Sequence, residues 1–300
     1  MHKTRYNALR LLLEISPHGP LLIKAGGFSA NPSLPDMQFV RTYQAEAGET
    51  VYIPGASLKG VVRGFVEKAL RTLDSRNTWR WACPTFEGKK NEECNCPQRL
   101  REMGQKEKEL ESWEIYRSSC GACRLFGHTR LRGRVSFTDL FPSGPVKTET
   151  RYGVAISRLT HAVAQGPFEM EVAVSGAFSG QVVLENYELW QLGLLATTVE
   201  AMNQGLLKVG FGKNRGFGQV QIVVRQAHIE ELVPLKHDTT LRGLADFVDD
   251  RQRDNYGLTP PYTLAEVSEP VETHRLGFYM RRSYDSAGWQ AIAQKVIQTL

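Results

Sequence analysis

The stretch IPGASLKGVVR at residues 53–63 joins an extended segment to a helix, and it sets where the first helix of the fold begins. Pro and Gly at its start interrupt any preceding strand, and apolar residues then recur with helical spacing. Ser57 is the predicted N-cap. Helix starts attract anions, and two bases lie one turn apart here. The pattern predicts a phosphate cradle of Gly55, Ser57, Lys59 and Arg63; an ordinary capped helix with a basic outer face is the alternative.

Outward from this stretch, the chain shows strand patterns on both sides and one further long helix. The strand patterns cover residues 6–15, 134–140, 168–174, 180–185 and 219–224, and the helix pattern starts at Tyr187. We expect residues 168–174 to pair with residues 180–185 across the Ser-Gly-Ala turn at 175–177. This order of elements predicts an α+β protein with a ferredoxin-like (RRM-like) core, in which two helices cover one face of an antiparallel sheet.

The organisation of the chain predicts a core with two additions and an appendage. Residues 1–225 form the core, and residues 28–50 within it form a long irregular connection. Residues 74–132 lack a sustained period except for a predicted helix over 100–113, so we interpret them as an insertion. Residues 141–167 are mostly polar and are expected to project as a hairpin or loop. Residues 226–300, with a predicted helix over 287–300, form a C-terminal appendage.

Composition excludes several classes of protein. The 300 residues are 41% hydrophobic and carry a net charge of +5, which argues against disorder, collagen and coiled coil. Apolar runs fall short of the ~18 residues needed to span a bilayer, so we expect a cytoplasmic protein with neither a membrane span nor a secretory signal. Residues 51–135 hold 17 Lys and Arg against 10 Asp and Glu. A local basic field of this kind favours an anionic polymer as partner, with a solvated surface as the alternative.

All five cysteines fall within residues 83–123, which favours a metal site over a disulfide framework. They are Cys83, the pair Cys94 and Cys96 in a CxC motif, and the pair Cys120 and Cys123 in a CxxC motif. Four thiolates would bind structural zinc tetrahedrally and stabilise the insertion, and Cys83 could replace either member of the CxC pair. A redox CxxC and buried free thiols are the alternatives.

A second glycine-rich stretch, GFGKNRGFG at residues 210–218, follows the second long helix. It departs from GxGxxG, and its helix-to-strand setting is the reverse of a dinucleotide-binding turn; it also lacks the Walker A pattern. Its glycines allow close backbone approach and its bases offer charge to phosphates. We therefore predict a phosphate contact by Gly210, Gly212, Lys213, Arg215 and Gly216, with a flexible turn as the alternative.

Four ordered motifs together resemble the RAMP superfamily of CRISPR-associated proteins. They are the IPGASLKG segment at 53–60, CRLFG at 123–127, VAISR at 154–158 with the strand that follows, and the late glycine-rich loop at 210–218. The resemblance covers residues 5–225 in the expected order. Within the superfamily, the chain looks most like the backbone subunits of type III effector complexes.

The resemblance implies a function in antiviral defence. Family members of this type hold a guide RNA along a filament of RAMP subunits, and a protruding thumb kinks the duplex of guide and target RNA. Here the thumb corresponds to residues 141–167, and Arg158 is the implied RNA contact. The implied partners are a CRISPR guide RNA, its complementary target RNA and other RAMP subunits.

The resemblance also implies an endoribonuclease that cleaves the target RNA with Mg²⁺. The matching acidic residue is Asp36 in the segment LPDMQFVR at 34–41. One carboxylate is enough for a modest ribonuclease, because a splayed backbone lets a 2′-hydroxyl attack its own phosphate while the carboxylate binds Mg²⁺ or accepts the proton. A turn or cap residue after Pro35 is the alternative.

Two other functions stay open on the sequence alone. The chain is also compatible with a structural subunit that caps the filament without cleaving RNA. His18, in the loop after the first strand, would be the general base of a metal-independent endonuclease that processes CRISPR RNA. More simply, His18 is an exposed loop residue or an RNA contact.

Overall fold

The computed structural model describes residues 3–26, 34–45, 48–88, 93–106, 109–232 and 239–300. In chain order its strands are β1 Asn7–Pro17, β2 Arg41–Gln44, β3 Gly48–Val51, β4 Val135–Phe137, β5 Phe141–Pro142, β6 Lys147–Ile156, β7 Val163–Ser175, β8 Phe178–Glu185, β9 Val220–Leu232, β10 Leu241–Arg242, β11 Thr263–Leu264, β12 Glu272–Leu276 and β13 Tyr279–Asp285. Its α-helices are α1 Gly55–Leu73, α2 Cys96–Lys106, α3 Ser112–Arg117, α4 Gly121–Phe126, α5 Leu189–Asn203, α6 Asp250–Tyr256 and α7 Ser286–Ile297.

An antiparallel sheet in the order β12-β13-β9-β1-β8-β4 forms the centre of the fold, and the short β5 also pairs with β8. β1 lies between β8 and β9. Leu9, Leu11, Leu13 and Ile15 are buried on one face of β1, while its alternate residues are partly exposed. The alternation in the sequence therefore predicted both the strand and its buried face, and the protein is a mixed α+β structure.

Helices α1 and α5 cover one face of this sheet. Leu58 and Val62 of α1 and Leu195 of α5 line a small apolar gap together with Leu11 and Leu13 of β1. The predicted spacing of apolar residues in both helices is confirmed. Among the helices of the described chain, none combines the length and apolar character that crossing a bilayer requires.

The start of α1 differs from the sequence-based expectation. Pro54 is the N-cap residue, and Ser57 lies inside the first turn rather than capping it. The Gly55 amide instead donates to the carboxylate of Asp139, at 2.8 Å, from the segment that follows β4. The cap was misassigned because its acceptor is 84 residues away in the chain.

β6 and β7 form a long two-stranded hairpin in the region predicted to project. The predicted pairing of 168–174 with 180–185 is wrong: β7 pairs with β6, and β8 enters the main sheet beside β1. The chain changes direction between them at Gly176, whose φ of +111° suits a residue without a side chain.

The predicted helix over residues 100–113 is also different in the structure. α2 ends at Lys106 and α3 begins at Ser112, so the described residues of this region form two shorter helices. Part of the long connection expected at 28–50 is the hairpin of β2 and β3, and residues 28–33 and 46–47 lie outside the described residues.

Residues 226–300 share the core of the preceding residues. β9 continues to Leu232, and β13 pairs with it and extends the sheet. Trp289, Ile292 and Val296 of α7 are buried in the same apolar cluster as Leu9 of β1. The boundary at residue 225 stays a prediction about sequence organisation, whereas in space both parts contribute to one hydrophobic core.

The close approach at Gly55 generates a stability prediction. A Cβ at this position would lie 2.5 Å from the carbonyl oxygen of Phe137 and 2.6 Å from that of Thr138. Gly55→Ala should therefore lower the free energy of unfolding by about 1–3 kcal/mol, as overpacking does. Gly60→Ala is the matched control on the same helix, because nothing lies within 4 Å of a Cβ there. The control should be neutral or stabilising by up to about 1 kcal/mol. Urea unfolding of both variants measures the difference, and equal effects would contradict the packing argument.

Candidate functional site

A ladder of backbone hydrogen bonds joins segments that are far apart in the sequence. Leu21 exchanges hydrogen bonds with Ala173 of β7 at 2.9 and 2.8 Å. On its other side, the same segment accepts from the glycine-rich loop: Phe211 donates to Leu22 at 2.7 Å and Gly218 donates to Pro20 at 2.9 Å. Residues 18–24 therefore connect the base of the β6–β7 hairpin to the loop at 210–218.

Residues 36–40 extend this ladder. Val40 donates to Ile23 at 2.8 Å, and Ala25 donates to Gln38 at 3.0 Å. Met37 also donates to Glu169 of β7 at 3.0 Å and accepts from Glu171 at 2.9 Å. We refer to residues 18–24 and 36–40, with their backbone partners in β7 and the loop at 210–218, as the central ladder.

Asp36 lies at the edge of the central ladder, beside the base of the hairpin. Its side chain is exposed, and its Oδ2 accepts a hydrogen bond from the Glu169 amide at 2.9 Å. This bond joins Asp36 to a strand 133 residues away in the chain, so it is not the local turn or cap contact that the alternative interpretation of Asp36 expects. It also fixes the position of a carboxylate on the surface, which a site for a cation or for a proton-accepting base requires.

The glycine-rich loop is shaped by close contacts. Gly210, Gly212 and Gly216 have φ values of +84°, +70° and +83°, and a Cβ on Gly210 would lie 2.3 Å from the carbonyl oxygen of Leu22. A 3-10 turn at 213–215 exposes Lys213 and Arg215. The glycines thus allow the loop to join the ladder while its two bases face solvent.

His18 lies next to this loop. It is exposed, and its backbone amide donates to Gln219 at 2.9 Å. A Cβ on the adjacent Gly19 would lie 3.7 Å from the carbonyl oxygen of Gly216. The structure therefore brings together His18 and the bases at 213–215, which the sequence separates by almost 200 residues.

The start of α1 is joined to the ladder, but some of the groups predicted to contact phosphate already have hydrogen-bond partners in the protein. Tyr52 donates to Val40 at 3.3 Å, while the Gly55 amide is already bound by Asp139 and the Ser57 amide donates to Pro54. Lys59 is half-buried. Burial and, secondarily, the charge of Arg63 lower the pKa of Lys59.

Arg63 points toward the insertion. Its guanidinium donates to Glu67 at 2.7 Å and to the Gly127 carbonyl at 3.1 Å, and lies 3.9 Å from the sulfur of Cys123. Burial acts to lower the pKa of Arg63, but the bond to Glu67 and nearby negative charge outweigh it, and the pKa is raised. Arg63 is therefore held mainly by protein groups.

The tip of the hairpin carries a group of exposed apolar side chains. Ser157 orders the turn by accepting hydrogen bonds from the amides of Leu159 and Thr160 at 3.3 and 3.2 Å, and Arg158 is exposed beside it. Leu159 is 94% exposed. The other exposed apolar side chains of this hairpin are Tyr152, Val154, Ile156 and Val163. Sequence analysis singled out the turn but not Tyr152, although apolar residues at alternate positions of a polar hairpin were a usable signal.

Four buried cysteines converge in the insertion. The sulfurs of Cys83, Cys96, Cys120 and Cys123 all lie within 4.8 Å of one another, and those of Cys83 and Cys123 are 3.8 Å apart. Tetrahedral zinc with Zn–S bonds of about 2.3 Å places its sulfurs about 3.8 Å apart. The residues present thus fit a metal ion.

Cys94 is not part of this cluster, although sequence analysis included it among the ligands. The CxC spacing suggested two ligands from residues 94–96, but Cys83 takes the fourth position. The reason is a backbone contact distant in sequence: Gly121 donates to Trp81 at 3.1 Å, which brings Cys83 beside Cys120.

Hydrogen-bond donors surround the cluster. The amide of Cys120 donates to the sulfur of Cys96 at 3.3 Å, the amide of Cys123 donates to the sulfur of Cys120 at 3.4 Å, and Arg99 lies 3.6 Å from the sulfur of Cys96. Hydrogen bonds among the four side chains lower the pKa of the Cys83 and Cys120 thiols and raise the pKa of the other two. Donors of this kind stabilise metal-bound thiolates.

The cysteine cluster generates a metal-content prediction. Cys96→Ser should remove the bound metal and lower the thermal midpoint, because a structural site contributes folding free energy. Cys94→Ser is the matched control and should keep about one metal ion per chain. Elemental analysis of both purified variants and of the wild-type protein measures this. Retention of metal by Cys96→Ser, or its loss from Cys94→Ser, would contradict the assignment of ligands.

Comparison with known proteins gives one finding. The family model of the RAMP superfamily matches residues 14–221, a stretch that includes the end of β1, α1, the cysteine cluster, the hairpin and the glycine-rich loop. A search of curated proteins found no match. Because the family model covers more than half of the chain and spans the central ladder, the chain belongs to the RAMP superfamily.

Proposed function

We propose that this protein binds CRISPR guide RNA as a backbone subunit of a type III effector complex and cleaves the paired target RNA. The observation that carries the proposal is the central ladder. Its hydrogen bonds connect an exposed carboxylate, two exposed bases and the β6–β7 hairpin, and these are the parts that such a function requires. The other RAMP subunits of the complex are the proposed protein partners.

The proposed core is the ferredoxin-like unit expected from the sequence. β1, α1, β4, β8, α5 and β9 follow one another in the chain, and the strands lie side by side in the order β9-β1-β8-β4. This split arrangement of strands and helices supports the assignment. The insertion, the hairpin and residues 226–300 are additions to that unit.

The proposed contacts to the guide RNA are with its phosphates. Lys213 and Arg215 are exposed on a turn whose backbone is fixed by the ladder. Contacts of this type position a nucleic acid without reading its sequence. Lys59 and Arg158 are secondary candidates, whereas Gly55 acts mainly through packing and Arg63 through its bonds to Glu67 and Gly127.

The hairpin is proposed to act as the thumb that distorts the duplex. Apolar side chains inserted between base steps unstack them and kink a helix. Leu159 at the turn and Ile156 beside it are exposed and suited to this role. The base of the same hairpin holds Asp36, so a nucleotide displaced by the tip of one subunit would lie against the Asp36 carboxylate of a neighbouring subunit.

Cleavage is proposed to proceed by attack of a 2′-hydroxyl on the adjacent phosphate, with departure of the 5′-oxygen. The hairpin splays the nucleotide so that the attacking and leaving oxygens align. Asp36 would hold Mg²⁺ or accept the proton of the 2′-hydroxyl. A bound Mg²⁺ would supply charge stabilisation at the phosphate. In the insertion, the cysteine cluster is proposed to hold structural zinc.

The proposed RNA contact predicts a change in salt dependence. Lys213→Ala and Arg215→Ala should each reduce the slope of log affinity against log salt by about one unit, because each removes one phosphate contact. Arg63→Ala is the control: it should lower stability with little change in slope, because its guanidinium is held by Glu67 and Gly127. Filter binding of guide RNA across a salt series measures the slopes. Unchanged slopes in both loop variants would refute the proposed contact.

The proposed cleavage predicts the effect of neutralising one carboxylate. Asp36→Asn keeps an oxygen that can accept the Glu169 amide but removes the charge, so target cleavage by the assembled complex should fall by about 100-fold or more. Glu49→Gln, an exposed acid on β3, is the control and should cleave normally.

Two outcomes of that experiment favour the other functions. Cleavage by the Asn variant at the wild-type rate means that Asp36 is not the catalytic carboxylate. Absence of cleavage by the wild-type complex indicates a structural subunit. Cutting of repeat RNA that persists in EDTA and is lost in His18→Ala indicates the metal-independent processing endonuclease.

A further inference from the structure

A large basic cleft lies outside the central ladder and shares no residue with it. The cleft has a volume of about 840 Å³ and forms between the insertion and residues 257–260. Five arginines line it together with two tryptophans: Arg76, Arg80, Arg99, Arg117, Arg124, Trp79 and Trp81. Its volume is within the range of sites that hold small ligands.

Aromatic rings lie against four of these guanidinium groups, and Arg124 is 5.1 Å from the ring centroid of Tyr116. Arg80 lies 5.3 Å from the ring centroid of Trp79, and Arg76 and Arg99 lie 5.6 and 5.1 Å from that of Trp81. Trp79 itself is stacked on Trp190 of α5, with ring centroids 4.3 Å apart. Guanidinium groups fixed in this way lose little conformational freedom when they bind a ligand.

The positive charge of the cleft is poorly balanced. Among the described residues that line it, none is Asp or Glu. Arg80 donates to the carbonyl of Leu300, Arg99 to that of Ser118, Arg117 to that of Asp254 and Arg124 to those of Ser119, Gly257 and Arg117, and none of these four arginines forms an ion pair with a carboxylate in the described chain. Arg99 also lies 3.6 Å from the sulfur of Cys96, and Arg76 pairs with the exposed carboxylates of Asp74 and Glu93. Positive charges that converge with few counter-charges favour an anionic ligand.

The chemistry of the cleft distinguishes among anions. Met103, Leu258 and Pro260 supply apolar surface beside the guanidinium groups. Arginine recognises phosphate oxygens with paired N–H donors, and its planar group also stacks on flat rings. A ligand with phosphates and a planar base uses both features, whereas an acidic peptide uses only the charge.

We propose that this cleft is a second binding site, specific for nucleoside phosphates, with the phosphates held by Arg80, Arg99 and Arg117 and a base against the apolar surface. The source of the ligand is a short single-stranded RNA segment or a free nucleotide, which share this chemistry. The site is independent of the proposed guide contact at residues 210–218.

Tryptophan fluorescence of the full-length protein tests the proposal, because Trp79 and Trp81 line the cleft. The probes are ATP and a 5′-phosphorylated octauridylate. Quenching by ATP alone assigns a nucleotide site, and quenching by the RNA, with or without ATP, assigns a strand site; both support the proposal. Absence of quenching and of binding by calorimetry with either probe overturns it.

Charge reversal in the cleft provides the matched comparison. Arg117→Glu and Arg80→Glu should each weaken binding about tenfold or more, whereas Arg275→Glu on β12, outside the cleft, should leave it unchanged. Two cleft positions are used so that one unfolded variant, detected by circular dichroism, does not decide the result. Unchanged affinity in folded cleft variants, or equal competition by hexaglutamate, overturns the proposal.

A loop variant separates this site from the guide contact. Lys213→Ala should leave quenching by the probe unchanged if the two sites are distinct. If guide binding proves to be absent altogether, quenching that is sensitive to Arg117→Glu still supports the cleft. Loss of quenching in the loop variant alone shows that the probe binds at residues 210–218 and overturns the cleft proposal.

Discussion

The backbone ladder through residues 18–24 and 36–40 is the constraint on which the functional surface depends. These segments bury Leu21, Leu22, Ile23 and Phe39 in the core, and the course of their backbone is set by paired amides and carbonyls, which are costly to leave unpaired when buried. Gly210 makes the pairing with Leu22 possible, because a Cβ there would overlap the Leu22 carbonyl. The ladder gives the hairpin, the glycine-rich loop and Asp36 fixed positions relative to one another. A single side chain at residue 210 would therefore disturb all three.

Local patterns predicted the elements, and non-local contacts decided how they assemble. The alternation in β1 and the helical spacing of apolar residues in α1 were readable because each element buries one face against the same core, and α5 was readable although it is buried on most of its surface. The partner of β7 was not readable, because its own sequence suits a neighbour on either side and only the turn at Gly176 and the pairing of β8 with β1 decide between them. The predicted N-cap of α1 was wrong for the same reason, because the acceptor, Asp139, is supplied by a distant segment.

The cysteine cluster illustrates the same division between composition and geometry. Confinement of the cysteines to residues 83–123 predicted a metal site, but motif spacing gave equal standing to Cys94 and Cys96. Which cysteines join the cluster depends on the hydrogen bond between the Gly121 amide and the Trp81 carbonyl. This close approach needs a glycine, because a Cβ on Gly121 would overlap the Trp79 carbonyl. Gly121, which directly follows Cys120, thus selects Cys83 as a ligand. The spacing of the cysteines alone does not predict this.

Arg63 connects the insertion to the helix that starts at the ladder. The sequence pattern assigned Arg63 to a phosphate cradle, yet its guanidinium joins Glu67 of α1 to the Gly127 carbonyl and approaches Cys123. Metal-bound thiolates would carry negative charge, and this arginine lies close enough to offset part of it. In the same position Arg63 is one turn from Lys59, and its charge, after burial, lowers the pKa of that lysine. An anion at the start of α1 would therefore meet a half-buried lysine and an arginine whose donors are already engaged by protein groups.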